Sequence, residues 1–187
     1  PLWSFTTIPD PYYYGWCDPF NNFFNWNIIG PQGLTNWSAN NSSSAGGTAP
    51  ELRMSWTPSF NGESKIRSNA FPLYSNQCCY FSFNFYFDWY ADPSGTVTVG
   101  ITYDGGVTSS PIYSVTNPTG NVGPFVFSTT FGTTSTSNQY AQIEITYSGN
   151  SFNTDNIYWD NVCVGYLASN ICPPGAPGNL VAQVIFD

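Results

Sequence analysis

Apolar and polar residues alternate with a period of two along much of this 187-residue chain. Residues 80–88 read YFSFNFYFD, with Phe81, Phe83, Phe85 and Phe87 on one face and Ser82, Asn84 and Asp88 on the other. Successive side chains of an extended strand point to opposite sides, so this pattern predicts a half-buried strand. The same rule predicts inward faces of Leu52, Met54 and Trp56 (51–56), of Val97, Val99, Ile101 and Tyr103 (96–103), and of Ala141, Ile143, Ile145 and Tyr147 (139–147). Residues 124–131 and 157–166 are two further strands, and Asp104-Gly105-Gly106 closes the 96–103 strand as a turn. No stretch of a dozen residues carries the i, i+3, i+4, i+7 apolar stripe of a helix. Strands with one apolar face each, punctuated by Gly, Pro, Asn and Ser, predict an all-β fold of two antiparallel sheets pressed together.

Two regions break the pattern. Residues 10–41 are rich in aromatics and Asn but alternate weakly, which predicts long ordered loops over the sandwich. The stretch from Cys172 to Gly178 has the Pro/Gly composition of a linker. Beyond it Leu180, Ala182, Val184 and Phe186 share one face of a terminal strand whose other face is also mostly apolar. Such a strand expects cover on both sides. The expected organisation is a sandwich over 1–166, then a linker and terminal strand over 167–187. That strand is either donated to a neighbouring subunit or opens a further domain.

Composition narrows the function. Only 7 % of residues are charged, Lys and Arg total 3, and the net charge is -8. Such a surface repels phosphates, so neither nucleic acid nor an anionic membrane is an expected partner. No apolar run is long enough for a transmembrane helix. The chain opens at Pro1 without a basic-then-apolar leader, which fits a secreted protein after signal-peptide removal, or a fragment. There is no His, and Cys17, Cys78, Cys79, Cys163 and Cys172 form no CxxC pair, so zinc is not expected and disulfides outside the cell are. Five is odd, so at least one thiol is free or pairs between chains. Vicinal Cys78 and Cys79 point to opposite faces and should differ in partner.

Several segments together carry a family resemblance: residues 44–52 (SAGGTAPEL), Trp56, residues 59–62 (SFNG), Phe81-Ser82-Phe83, and residues 156–162 (NIYWDNV). With the opening Trp3-Ser4-Phe5, Pro9 and Gly15-Trp16, they resemble the jelly-roll domains of secreted bacterial surface proteins, of MAM-like and cleaved-adhesin (choice-of-anchor) type. The resemblance covers about residues 1–166. It implies an antiparallel two-sheet jelly roll with long aromatic-rich loops. The segment 174–186 resembles the first strand of a fibronectin type III domain. The family often holds a structural calcium between the opening strand and a closing Asp pair. Asp160 matches the first acidic position, Asn161 replaces the second, and Thr6 and Thr7 stand where an acid is expected. No other cofactor is implied.

Without His, a Ser-His-Asp or Cys-His unit cannot form, and no spacing singles out a pair among the eleven acids. No enzyme is expected. Aromatic side chains offer binding surface: Tyr12, Tyr13, Tyr14, Trp16 and Trp26 could pack under a loop, contact a second subunit or stack on sugar rings. Asn36, Asn40 and Asn41 each open an Asn-x-Ser/Thr glycosylation pattern. The leading expectation is an extracellular or cell-surface structural protein, self-assembling into a filament or sheath through its terminal strand and aromatic loops. The alternative is a carbohydrate-binding or adhesive module with polysaccharide as partner.

Overall fold

The structure, a computed structural model, describes residues 12–75, 77–132, 139–167 and 182–184, the first and last three of these by backbone alone. Thirteen strands follow one another: β1 (Tyr12–Asp18), β2 (Trp26–Ile28), β3 (Trp37–Asn40), β4 (Glu51–Ser55), β5 (Asn61–Ser68), β6 (Phe71–Leu73), β7 (Cys78–Trp89), β8 (Thr96–Thr102), β9 (Ser110–Thr116), β10 (Val122–Gly132), β11 (Gln139–Asn150), β12 (Thr154–Leu167) and β13 (Ala182–Val184). A single 3-10 turn, Ser151–Asn153, is the helical content of the described residues.

The strands form two sheets. The first runs β10-β7-β12-β4-β3, with β1 also pairing β12; the second runs β13-β9-β8-β11-β5-β2, with β6 also on β11. All pairings are antiparallel except β13 on β9. The predicted inward positions make the core. Phe81, Phe83, Phe85 and Phe87 of the first sheet are fully buried, as are Val97, Val99, Ile143, Ile145 and Tyr147 of the second. Phe83 lies 5.3 Å from Tyr113 across the sheets and 5.1 Å from Phe127. Burying one such ring contributes roughly 1.5–3 kcal/mol, so these faces hold the sheets together.

The sequence reading needs correction in three places. Residues 10–41 contain β1, β2 and β3 rather than loops alone, because short strands of three to seven residues leave little room for alternation to register. Tyr103, expected inward, is 42 % exposed because β8 ends at Thr102 and the chain turns there. Trp56 likewise lies just past the end of β4 and is half-buried. Ala182 and Val184 pair with Tyr113 and Val115 of the chain's own β9. Leu180 and Phe186 lie outside the described residues.

Cys17 is bonded to Cys163, tying β1 to β12. Cys78 is disulfide-bonded and Cys79 is buried and free, so the vicinal pair does divide as strand geometry requires. Burial pushes the Cys79 thiol up to about 12. Cys172 lies outside the described residues.

Candidate functional site

The outward positions of the first sheet line up across four strands. Tyr158 of β12 is paired with Tyr86 of β7 on one side and Arg53 of β4 on the other, and Arg53 faces Ser38 of β3. One residue pair along, Asn156 lies between Ser55 and Asp88. The Tyr86 and Tyr158 rings are 6.1 Å apart and 19° from parallel on the outer side of the sheet, where Tyr86 is half-buried and Tyr158 is only 9 % exposed. The sequence dictates this arrangement. Both tyrosines occupy outward register positions in strands whose alternate residues, Phe85, Phe87, Ile157 and Trp159, are fully buried.

Hydrogen bonds fix Tyr86 in place. Asn121 donates its amide to the Tyr86 hydroxyl at 2.8 Å and accepts from the Trp89 backbone N–H at 3.0 Å. The Tyr86 hydroxyl donates to Asp88 at 3.3 Å. Burial, then the charge of Asp155, pushes the Asp88 carboxyl above its ordinary range, and the Tyr86 hydrogen bond offsets part of that. Tyr86 is raised by burial and by Asp88. Tyr158 is raised chiefly by burial, with Ser44 and Arg53 pulling it back. The face therefore presents the Tyr86 ring, backed by Tyr158 and flanked by amides, a carboxylate and a guanidinium, at which a flat polyhydroxylated ring could stack and hydrogen-bond.

The loop between β3 and β4 bounds this face. Glu51 is fully buried and accepts hydrogen bonds from the Ser42 hydroxyl and from the Ser44 and Ala45 N–H groups at 2.7 and 2.8 Å. Asp160, also fully buried, accepts from Thr48 N–H at 2.9 Å and from Asn161 N–H at 2.7 Å. Gly47 packs so closely here that an added Cβ would lie 1.7 Å from the Asp160 carboxylate. Burial raises the Asp160 carboxyl to about 6, against the pull of those N–H groups and with the charges of Glu51 and Asp18 adding to the rise.

These surroundings do not fit the calcium that the family resemblance implies. Both Asp160 oxygens are occupied by N–H donors, and Asn161, at φ 49°, turns its own N–H and amide toward that carboxylate. Calcium calls for six to eight oxygens, usually with more than one carboxylate. Among the described residues, no three His, Cys, Asp or Glu side chains converge on a metal position. Thr6 and Thr7 lie outside the described residues.

The other sequence candidates are dispersed. Trp26 is a core residue at 4 % exposure, and its indole N–H donates to buried Asp18 at 2.8 Å. Trp16 stacks on Phe71 at 4.9 Å and packs edge-on to Trp26 at 6.0 Å. These two are therefore packing residues rather than a platform, because their strands pair within the sheets. The side chains of Tyr12, Tyr13 and Tyr14 lie outside the description. Asn36 is buried and donates to the Ser55 and Pro58 carbonyls at 2.7 and 2.9 Å, so its amide is not a glycan acceptor. Asn40 is half-buried and donates to Ser42, whereas Asn41 is exposed. Sequence reasoning missed Tyr86 and Tyr158. The available signal was an aromatic residue at an outward position of a strand whose inward face was already filled.

No family profile matches the chain, and no curated protein sequence matches it. Solved structures do match. The tandem CBM22-1–CBM22-2 domain of Xyn10C from Paenibacillus barcinonensis is 13 % identical, with a TM-score of 0.53 over 83 % of this chain and 50 % of that one. The CBM22-1–GH10 modules of the xylanase Xyn10B from Clostridium thermocellum, complexed with xylohexaose, give 14 % and 0.55 over 87 % and 30 %. The chain thus spans half or less of each of those two. The K3 cleaved adhesin domain of Lys-gingipain from Porphyromonas gingivalis gives 12 % and 0.52 over 81 % and 99 %. What these share with the chain is the fold, an all-β jelly-roll sandwich of the kind found in carbohydrate-binding modules and in a cleaved adhesin domain.

Proposed function

We propose that this chain is a non-catalytic, extracellular carbohydrate-binding module that takes a polysaccharide across the outer face of its first sheet, centred on Tyr86. The observation that carries this is the half-buried Tyr86 ring, backed at 19° by the buried Tyr158 ring and set beside Asn121 and Asp88 on the outer side of a jelly-roll sheet. Sugar rings lay their C–H faces on aromatic planes and direct hydroxyls to the side, where amides and carboxylates meet them. The likeness to the CBM22-1–GH10 modules of an endo-1,4-β-D-xylanase complexed with xylohexaose makes a β-linked polysaccharide such as xylan the first ligand to try. The Cys17–Cys163 disulfide suits an oxidising, extracellular setting. The absence of His and the structural use of Glu51 and Asp160 as loop acceptors favour binding over turnover. With β13 paired to β9 of the same chain, the binding reading calls for no strand from a neighbour.

Affinity electrophoresis and calorimetry against xylan, mixed-linked glucan and soluble cellulose derivatives test the proposal. Binding to at least one is expected, with Tyr86→Ala weakening it about tenfold or more, equivalent to about 1.4 kcal/mol. No binding across the panel, or a Tyr86→Ala protein that binds unchanged, would overturn it.

A further inference from the structure

Beyond the tyrosine face, at the end of the sandwich, lies a recess of about 210 Å³ lined by Trp56, Tyr90, Phe152, Thr154 and Asp155. It is small for an oligosaccharide, since ligand pockets usually run from roughly 300 Å³ upward. Phe152 stands 5.7 Å from Trp56 at 88° and 5.7 Å from Tyr90 at 85°. A flat sugar stacks on one plane or on parallel planes. Rings at right angles instead suit a rounded group that meets aromatic surface from several directions. Phe152 is 49 % exposed and Tyr90 55 %, so both rings are available.

The backbone holds this arrangement firmly. Tyr90 and Ala91 donate their N–H groups to the Asn153 carbonyl, Trp56 donates to the Asp155 carbonyl at 3.2 Å, and the Asn150 side chain caps the turn by accepting from Phe152 N–H at 3.1 Å. Ser151 donates to the Trp56 carbonyl at 2.9 Å. The charge is of one sign. Asp155 is exposed among the lining residues, and its charge reaches Asp88. The three cations of the chain stand elsewhere, Arg53 beside Tyr158, and Lys65 and Arg67 paired to Glu63 and Glu144 on the other sheet.

Aromatic faces attract a desolvated cation through the ring quadrupole, and several rings with a carboxylate make a site for quaternary ammonium groups. We infer that this recess binds a quaternary ammonium group of choline type, carried without an adjacent anion. The inference is independent of the glycan reading, because it uses different residues and a different attraction.

The test titrates choline, its neutral isostere 3,3-dimethylbutan-1-ol, and phosphocholine into the full chain, following the Trp56 indole N–H in a ¹H–¹⁵N spectrum. The signal is assigned through a Trp56→Phe protein. Choline should shift that signal, and both the isostere and phosphocholine should bind about tenfold more weakly, the former for want of charge and the latter through repulsion by Asp155. Phe152→Leu keeps apolar volume without a π-face and should weaken choline about fivefold or more with the melting temperature unchanged. Asp155→Asn should act in the same direction. Tyr86→Ala should leave choline binding intact, and Phe152→Leu should leave xylan binding intact, so the two sites fail separately. Absence of choline binding, or an isostere or phosphocholine that binds as tightly as choline, would overturn the inference.

Discussion

Asp160 gives the fold a measurable pH signature. Its carboxyl is fully buried and sits at about 6 rather than at 3.8. The folded state therefore holds this proton more tightly than the unfolded chain does. Linkage then makes the contribution greatest below about pH 4, lost as pH rises toward 6, and level above that. A rise of about two pH units corresponds to roughly 3 kcal/mol at most, at about 1.4 kcal/mol per unit. The perturbation is Asp160→Asn, which removes the titration while its amide oxygen can still accept one of the two N–H groups. Urea unfolding of both proteins from pH 3.5 to 8 gives the assay, and the difference between them cancels the shared response of the other acids. The natural protein should gain on the variant by roughly 2–3 kcal/mol between pH 7.5 and pH 4. A difference that stays flat across that range would refute the argument that burial governs this carboxyl. Asp104 responds with the opposite sign in a separate window. Hydrogen bonds from Thr108 and Thr102 hold its carboxyl well below the ordinary range, so its contribution is present above about pH 4 and is lost only in stronger acid.

Other perturbations probe the remaining layers. Phe83→Ala removes a fully buried ring packed on Phe81, Phe85, Tyr113 and Phe127 and should cost about 3–5 kcal/mol in denaturant unfolding. Gly47→Ala forces a methyl against the Asp160 carboxylate and should lower the melting temperature and raise proteolytic cutting within 41–50. Ser replacement of both Cys17 and Cys163, separated by 146 residues, should cost roughly 2–5 kcal/mol, read as a shift in urea midpoint. Cys79 should resist iodoacetamide in the folded protein and react fully in guanidinium, because burial pushes its thiol up to about 12.

Much of the sandwich is legible in the sequence. The Phe81–Phe87 run, the Val97–Ile101 run and the Ala141–Tyr147 run each state their inward face, and each is buried as read. Edge strands are less legible. β2 and β6 have three residues each, so tertiary pairing with β5 and β11 decides them rather than local pattern. The site was hidden for a different reason. The dense aromatics of residues 12–26 drew attention, yet Phe20 and Trp26 are core and Trp16 packs on Phe71. Tyr86 and Tyr158 stand out only once register sets them side by side on the outer side of the sheet. The end recess needed three separated segments, at Trp56, Tyr90 and Phe152, and no spacing in the chain announces that convergence.

The sharpest test of the glycan-binding face is a ¹H–¹⁵N titration of the isotope-labelled chain with soluble xylo-oligosaccharides. Perturbed amides should cluster on Arg53, Tyr86, Asp88, Asn121, Asn156 and Tyr158. Perturbation of Thr98, Thr146 and Lys65 on the opposite sheet, or an unchanged spectrum with xylan and with every other glycan of the panel, would contradict it.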